Sequence, residues 1–113
     1  MAPIAEPCTI IYYFSKNGKS PFFEWLSKLE DQTQAVINVR INRVKLGNWG
    51  DCSQLKNCKG IWELRIHDGP GYRIYLGKIK NSLFILLCGG LKKDQAKDIQ
   101  LAIKYWTDYK EIK

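Results

Sequence analysis

Arg65 and Arg73 carry the first indication of function. They lie in the stretch Gly60–Leu76, where two alternating runs flank Gly69-Pro70-Gly71. Such a pattern reads as two β-strands joined by a tight turn. Trp62, Leu64, Ile66, Tyr72, Ile74 and Leu76 then share one apolar face, and Glu63, Arg65, His67, Arg73 and Tyr75 share the polar one. Facing residues of an antiparallel pair lie on the same side, so the apolar sets align only where the polar sets do too. The register that pairs Leu64 with Ile74 sets Arg65 opposite Arg73. Like charges with Cβ atoms roughly 5 Å apart repel, so the pair calls for an anion between them. Glu63 and His67 on the same face are candidate proton acceptors, a free imidazole being suited to proton transfer near neutral pH. The plainer alternative is a set of surface ion pairs, Glu63–Arg65 or Asp68–Arg73, worth about 0–1 kcal/mol, with His67 merely a solvated residue at a strand end.

The composition fits an anionic partner. In 113 residues, 18 Lys and Arg stand against 11 Asp and Glu, a net charge of +7 with a pI near 9.3. That balance favours nucleic acid, the ribosome, an acidic membrane or an acidic protein, and does not choose among them. The length suits a single domain, residues 1–113, with its own core. Residues Met1–Pro7 show neither the basic nor the apolar region of a secretory signal. No run approaches the roughly 18 apolar residues of a spanning helix, so a cytoplasmic protein with no membrane partner is expected. Cys8, Cys52, Cys58 and Cys88 form no CxxC pair and have no clustered histidines. Free thiols are expected, although Cys52 and Cys58 could bridge, and neither a metal site nor a cofactor is called for.

Positioning these side chains requires a scaffold, and the rest of the chain supplies its elements. Cys8–Phe14 reads as a strand buried on much of both faces. Ser20-Pro21 opens a first helix with Phe22, Trp25, Leu26 and Leu29 as its inner stripe. Asp31 with Gln34 resembles a capping box for a second helix ending at Gly47, with Ile37, Ile41 and Val44 inward. Arg40 and Arg43 decorate its other faces, as solvated residues or as contacts to RNA. Trp49 plugs the core or stacks on a base. Ser53–Lys56 reads as a short strand, Asn57–Gly60 as a turn, and Leu83–Cys88 as a central strand. Gly89-Gly90 frees the backbone, Lys92 and Lys93 follow, and a last helix starts at Asp94 with Ile99, Ile103 and Trp106 on one side. The expected fold is α+β: a mainly antiparallel sheet of four to five strands packed with two N-terminal helices and one C-terminal helix.

Four separated motifs then resemble a known group. The run from Gly60 to Tyr75, the upstream Phe22-Phe23-Glu24-Trp25-Leu26-Ser27-Lys28-Leu29, the loop Lys45-Leu46-Gly47-Asn48-Trp49-Gly50-Asp51, and Leu86-Leu87-Cys88-Gly89-Gly90-Leu91-Lys92-Lys93-Asp94 are similar to the RelE/HigB/ParE superfamily of addiction-module toxins. The resemblance covers about Thr9 to Tyr109. It implies a small RelE/ParE-like domain acting as a type II toxin and neutralised by a cognate antitoxin. RelE and HigB members cut mRNA, usually on the ribosome, without a metal, by attack of a ribose 2′-OH on the adjacent phosphate. ParE members share the fold, lack the catalytic set and poison DNA gyrase. By this resemblance Arg73 matches the arginine that steadies the phosphate, and Arg65 stands where a lysine is usual. Lys92 or Lys93 stands where a basic residue meets the leaving oxygen, and Glu63 takes the place of a lysine proposed as base. Ile99 falls where a catalytic tyrosine is expected. The implied partners are the antitoxin, mRNA and the ribosome, with DNA reached only through an antitoxin complex. Tyr75 and Trp49 join Arg40 and Arg43 as candidate RNA contacts.

Overall fold

The structure is a computed structural model that describes residues 6–58 and 60–112. The reading of the extreme N-terminus and the Lys59 position of the 57–60 turn therefore lie outside the described residues. Five strands, Thr9–Tyr12 (β1), Cys52–Gln54 (β2), Ile61–Ile66 (β3), Tyr72–Lys80 (β4) and Leu83–Leu91 (β5), form one sheet in the order β1-β5-β4-β3-β2. All neighbours are antiparallel except β1 and β5. Helices Pro21–Ser27 (α1) and Asp31–Lys45 (α2) precede β2, and Gln95–Ile112 (α3) follows a single 3-10 turn at Lys92–Asp94. The α+β expectation holds, with one parallel pair in the sheet.

The β3–β4 register is the one that alternation dictates: Leu64 faces Ile74, and Arg65 faces Arg73. One core lies under α1 and α2, where Phe22, Leu26, Ile37, Ile41 and Val44 meet Leu64, Ile74 and Leu86. A second lies under α3, where Ala102 and Trp106 meet Ile61, Tyr75, Ile85 and Leu87. The sheet is thus buried on both faces, which is why β5 is apolar on both sides.

Local sequence explains most element boundaries. Ser20 caps α1 by accepting from the Phe23 N–H at 3.1 Å, and Pro21 holds the first helical position. The capping box expected for α2 is absent: Glu30 occupies the cap position, and Gln34 Nε2 donates back to the Leu29 carbonyl at 2.9 Å. β5 runs through Gly89-Gly90 rather than breaking there. A Cβ at Gly89 would strike the Trp25 ring, and one at Gly90 would strike the Asp98 carboxylate, so bare backbone is what lets helices on both faces approach. The strand expected at Cys8–Phe14 shrinks to β1, which lies at the sheet edge with Ile11 and Tyr12 exposed. An apolar β-branched run looks alike in a central strand and in an edge strand. The short strand read at Ser53–Lys56 sits at Cys52–Gln54 instead. Trp49 packs edge-on against Trp62 and Phe84, and Lys78 Nζ lies 5.2 and 4.9 Å from the two indole centroids. All four cysteines are free.

Candidate functional site

Glu63 stands where the register demands an anion. It has no exposed surface. Its Oε1 accepts from Arg65 Nε at 3.1 Å, and its Oε2 accepts from Gln95 Nε2 at 2.6 Å. Arg73 Nε lies 3.9 Å from the same Oε2, too far for a hydrogen bond but close enough for ion pairing. The anion between the two arginines is therefore the protein's own. This revises the expectation of two guanidiniums open to a bridging ligand: the Arg73 side chain is only 8% exposed, whereas Arg65 keeps 36%. The first turn of α3 causes the difference, because Gln95 and the buried Asp98 close over the sheet face beside Arg73. Burial raises the pKa of Asp98, and burial followed by the field of Glu63 raises that of the Tyr75 phenol beside it. Tyr75 is fully buried, so this candidate RNA contact lies in the second core.

The exposed chemistry gathers one residue pair further along β3. Asp51, the residue before β2, accepts from Arg65 Nη1 at 3.1 Å through Oδ1 and meets His67 Nε2 at 2.6 Å through Oδ2. The backbone sets this up: the Arg65 N–H donates to the Asp51 carbonyl at 2.9 Å, extending the β2–β3 pairing by one step. The hydrogen bond from His67, then that from Arg65, holds the Asp51 carboxyl below its usual range, and Asp51 in turn raises the pKa of Arg65. His67 is well exposed. It lines a groove of about 430 Å3 together with Arg40, Arg43, Asp51 and Arg65. Arg40 is steadied there by a bond from Nη2 to the Trp49 carbonyl at 3.4 Å. Arg40 and Arg43, which sequence alone left as solvated residues or RNA contacts, therefore share a groove with Arg65 and His67. Trp49 turns its ring into the first core instead.

Lys92 and Lys93 are exposed on the 3-10 turn that follows β5. The Lys92 N–H donates to the Gly71 carbonyl at 2.9 Å, and Gly71 at φ +85° leaves just enough room for the Lys92 side chain. The turn thus docks on the β3–β4 connection, and both lysines belong to the end of the sheet that carries His67. Asp51 and Gln95 are the site residues that sequence reading missed. The observed pairing of Cys52 with Leu64 places Asp51 opposite Arg65, a register that the sequence reading of this strand at Ser53–Lys56 does not supply. Nothing local marks Gln95, whose role depends on how α3 lies. Among the described residues, no group of three or more His, Cys, Asp or Glu side chains is placed to hold a metal, and no helix is long and apolar enough to cross a membrane.

Chemically, the arrangement offers one oriented imidazole, one half-exposed guanidinium beside it, and further cations along the same end. These groups sit on a small α+β domain of net charge +7. The chain belongs to the family of phage-derived Gp49-like proteins (DUF891), whose model matches residues 24–106. It is 50% identical over 82 residues, 72% of this chain and 81% of the relative, to a Haemophilus influenzae protein described only as uncharacterized.

Proposed function

We propose that this protein is the toxin of a type II toxin–antitoxin module and that it inhibits translation by cutting mRNA without a metal. The Gp49-like family is one associated with toxin–antitoxin modules, and the sequence motifs resemble the RelE and HigB nucleases. The observation that carries the nuclease reading is the His67–Asp51–Arg65 constellation. With Asp51 accepting at Nε2, the neutral imidazole keeps its proton there and offers the Nδ1 lone pair to a ribose 2′-OH. The 2′-oxygen then attacks phosphorus, the bond to the 5′-oxygen breaks, and a 2′,3′-cyclic phosphate forms. Arg65 meets the phosphate, and Lys92 or Lys93 neutralises the departing oxygen. Arg40 and Arg43 track the backbone along the groove. Glu63 and Arg73 take a positioning role in this reading, because the buried carboxylate fixes the Arg65 guanidinium rather than accepting a proton.

Expression of the chain followed by mapping of cellular mRNA 5′ ends tests the proposal. Cleavage is expected for the wild type, with a fall of about 10²–10⁴ for His67→Ala and about 10²–10³ for Arg65→Ala. Undiminished cleavage by His67→Ala removes it as the base. A second reading, a ParE-like toxin that poisons DNA gyrase by binding, draws on a specific observation: Glu63 neutralises the arginine pair from within, and Ile99 replaces the expected tyrosine. Growth arrest with intact mRNA and loss of supercoiling activity would select it.

A further inference from the structure

Asp51 holds His67 from a turn, and a turn has to be held in its own right. The Cys52 N–H donates to the Gly50 carbonyl at 3.0 Å, which makes Asp51 the central residue of a three-residue turn. Gly50 before it lies at φ +59°, in the left-handed region. Glycine has the widest choice of backbone conformation, so the direction in which Asp51 leaves the turn depends on what keeps Gly50 in place.

The flanks of the segment are secured separately. The Gly47 N–H donates to the Val44 carbonyl and the Asn48 N–H to the Arg43 carbonyl, both at 2.9 Å, which closes the end of α2. The Trp49 ring packs edge-on against Trp62 and Phe84, with centroids 5.1 and 5.5 Å away. On the far side the Asp51 carbonyl accepts from the Arg65 N–H at 2.9 Å. Between these anchors the backbone meets Arg40, which reaches across from α2. Arg40 Nη2 donates to the Trp49 carbonyl at 3.4 Å. A Cβ built on Gly50 would lie 2.8 Å from Nη2 and 3.3 Å from Cζ and from Nη1, so the guanidinium takes up the side-chain space that the glycine leaves open.

We propose that Arg40 is a positioning residue: its guanidinium, laid against Gly50 and bonded to the Trp49 carbonyl, sets the turn that aims Asp51 at His67. The path is short. Arg40 fixes the 49–50 peptide, that peptide carries Asp51, and the Asp51 carboxylate meets His67 Nε2 at 2.6 Å. A carboxylate so placed fixes both the tautomer and the direction of an imidazole. This role goes beyond the phosphate contact assigned to Arg40 above, because that contact needs a charge, whereas the turn needs the planar fork that lysine lacks. Its catalytic meaning rests on the reading of His67 as base; the geometry itself is measurable on the free protein.

Arg40→Lys separates the two roles, since it keeps the charge and loses the fork. His67 is the one histidine of the chain, so its ring nitrogens give unambiguous signals in long-range proton–nitrogen NMR spectra. In the free wild type, at a pH where the ring is neutral, a single tautomer with its proton on Nε2 is expected. In Arg40→Lys both ring nitrogens should move towards the averaged positions of an unrestrained imidazole, while the Trp49 indole signal stays in place. Gly50→Ala, which retains Arg40 but drives its guanidinium off the backbone, should produce the same change. On ribosome-programmed mRNA, single-turnover cleavage at saturation should fall at least about tenfold in Arg40→Lys, with affinity within about twofold of wild type. A wild-type ring signature in both variants, even with a lowered melting temperature, would overturn the positioning role. Weakened affinity with an unchanged single-turnover rate would overturn it too, and leave Arg40 a phosphate contact alone. If the wild type cuts no mRNA, the nuclease reading fails, and the ring signatures still decide whether Arg40 sets His67.

Discussion

Replacing Glu63 with alanine isolates the energetics of the buried charge cluster. The carboxylate is fully sequestered and has two hydrogen-bond partners, and its removal takes from the 8% exposed Arg73 side chain the one carboxylate within ion-pairing distance among the described residues. Breaking a buried ion pair from one side costs about 3–5 kcal/mol. The Arg65 contact adds little to this, because a guanidinium one-third exposed can turn to water and to Asp51. The loss should therefore fall near the burial figure for Arg73 alone, roughly 3–5 kcal/mol. At about 4 °C per kcal/mol for a domain of this size, the melting temperature drops by about 12–20 °C. Urea denaturation is the direct assay, with the midpoint moving and the slope unchanged. The double variant Glu63→Leu with Arg73→Met should recover most of the loss, since a volume-matched apolar pair has no unmet charge. A single-variant cost below about 1 kcal/mol would refute the reasoning and mean that water reaches Arg73.

Two other outcomes follow from the geometry. Asp51 is held below its unfolded value by His67 and Arg65, so its contribution is complete above the unfolded carboxylate pKa, near 3.9, and fades as pH falls through the folded one. Urea midpoints of wild type and Asp51→Asn should differ at pH 6 and converge towards pH 2; a constant gap would contradict the linkage. Gly90→Ala drives a methyl group into the buried Asp98 carboxylate and should cost about 1–3 kcal/mol. In Gly90→Ala with Asp98→Ala the two effects should fall short of additivity by at least about 0.5 kcal/mol.

Much of the architecture was legible because it rests on short-range pattern. The alternation around Leu64 and Ile74 fixes the central hairpin and, through it, the meeting of Arg65 with Arg73. Ser20-Pro21 marks a helix start, and Leu83–Cys88 marks a strand buried on both faces. What pattern does not carry is the identity of the neighbouring layer. Period two places Glu63 on the polar face, yet only the path of α3 turns that face into an interior and the residue into an internal counter-ion. Asp51 precedes a three-residue strand too short for periodicity to locate, so its meeting with His67 emerges only once β2 is paired. The edge position of β1 is non-local for the same reason: it depends on a partner strand near the other end of the chain.

That long-distance pairing governs how the molecule is made. β3, β4 and β5 are joined by short connections and can zip as consecutive hairpins, whereas β1 has to close a loop of most of the chain to reach Leu83–Leu86. On the ribosome β1 therefore leaves the tunnel well before β5, the strand it pairs with. Until β5 has been synthesised, Ile10, Ile11 and Tyr12 lack the strand they pair with. The interval before β5 emerges is the one in which a nascent chain is most exposed to wrong pairing.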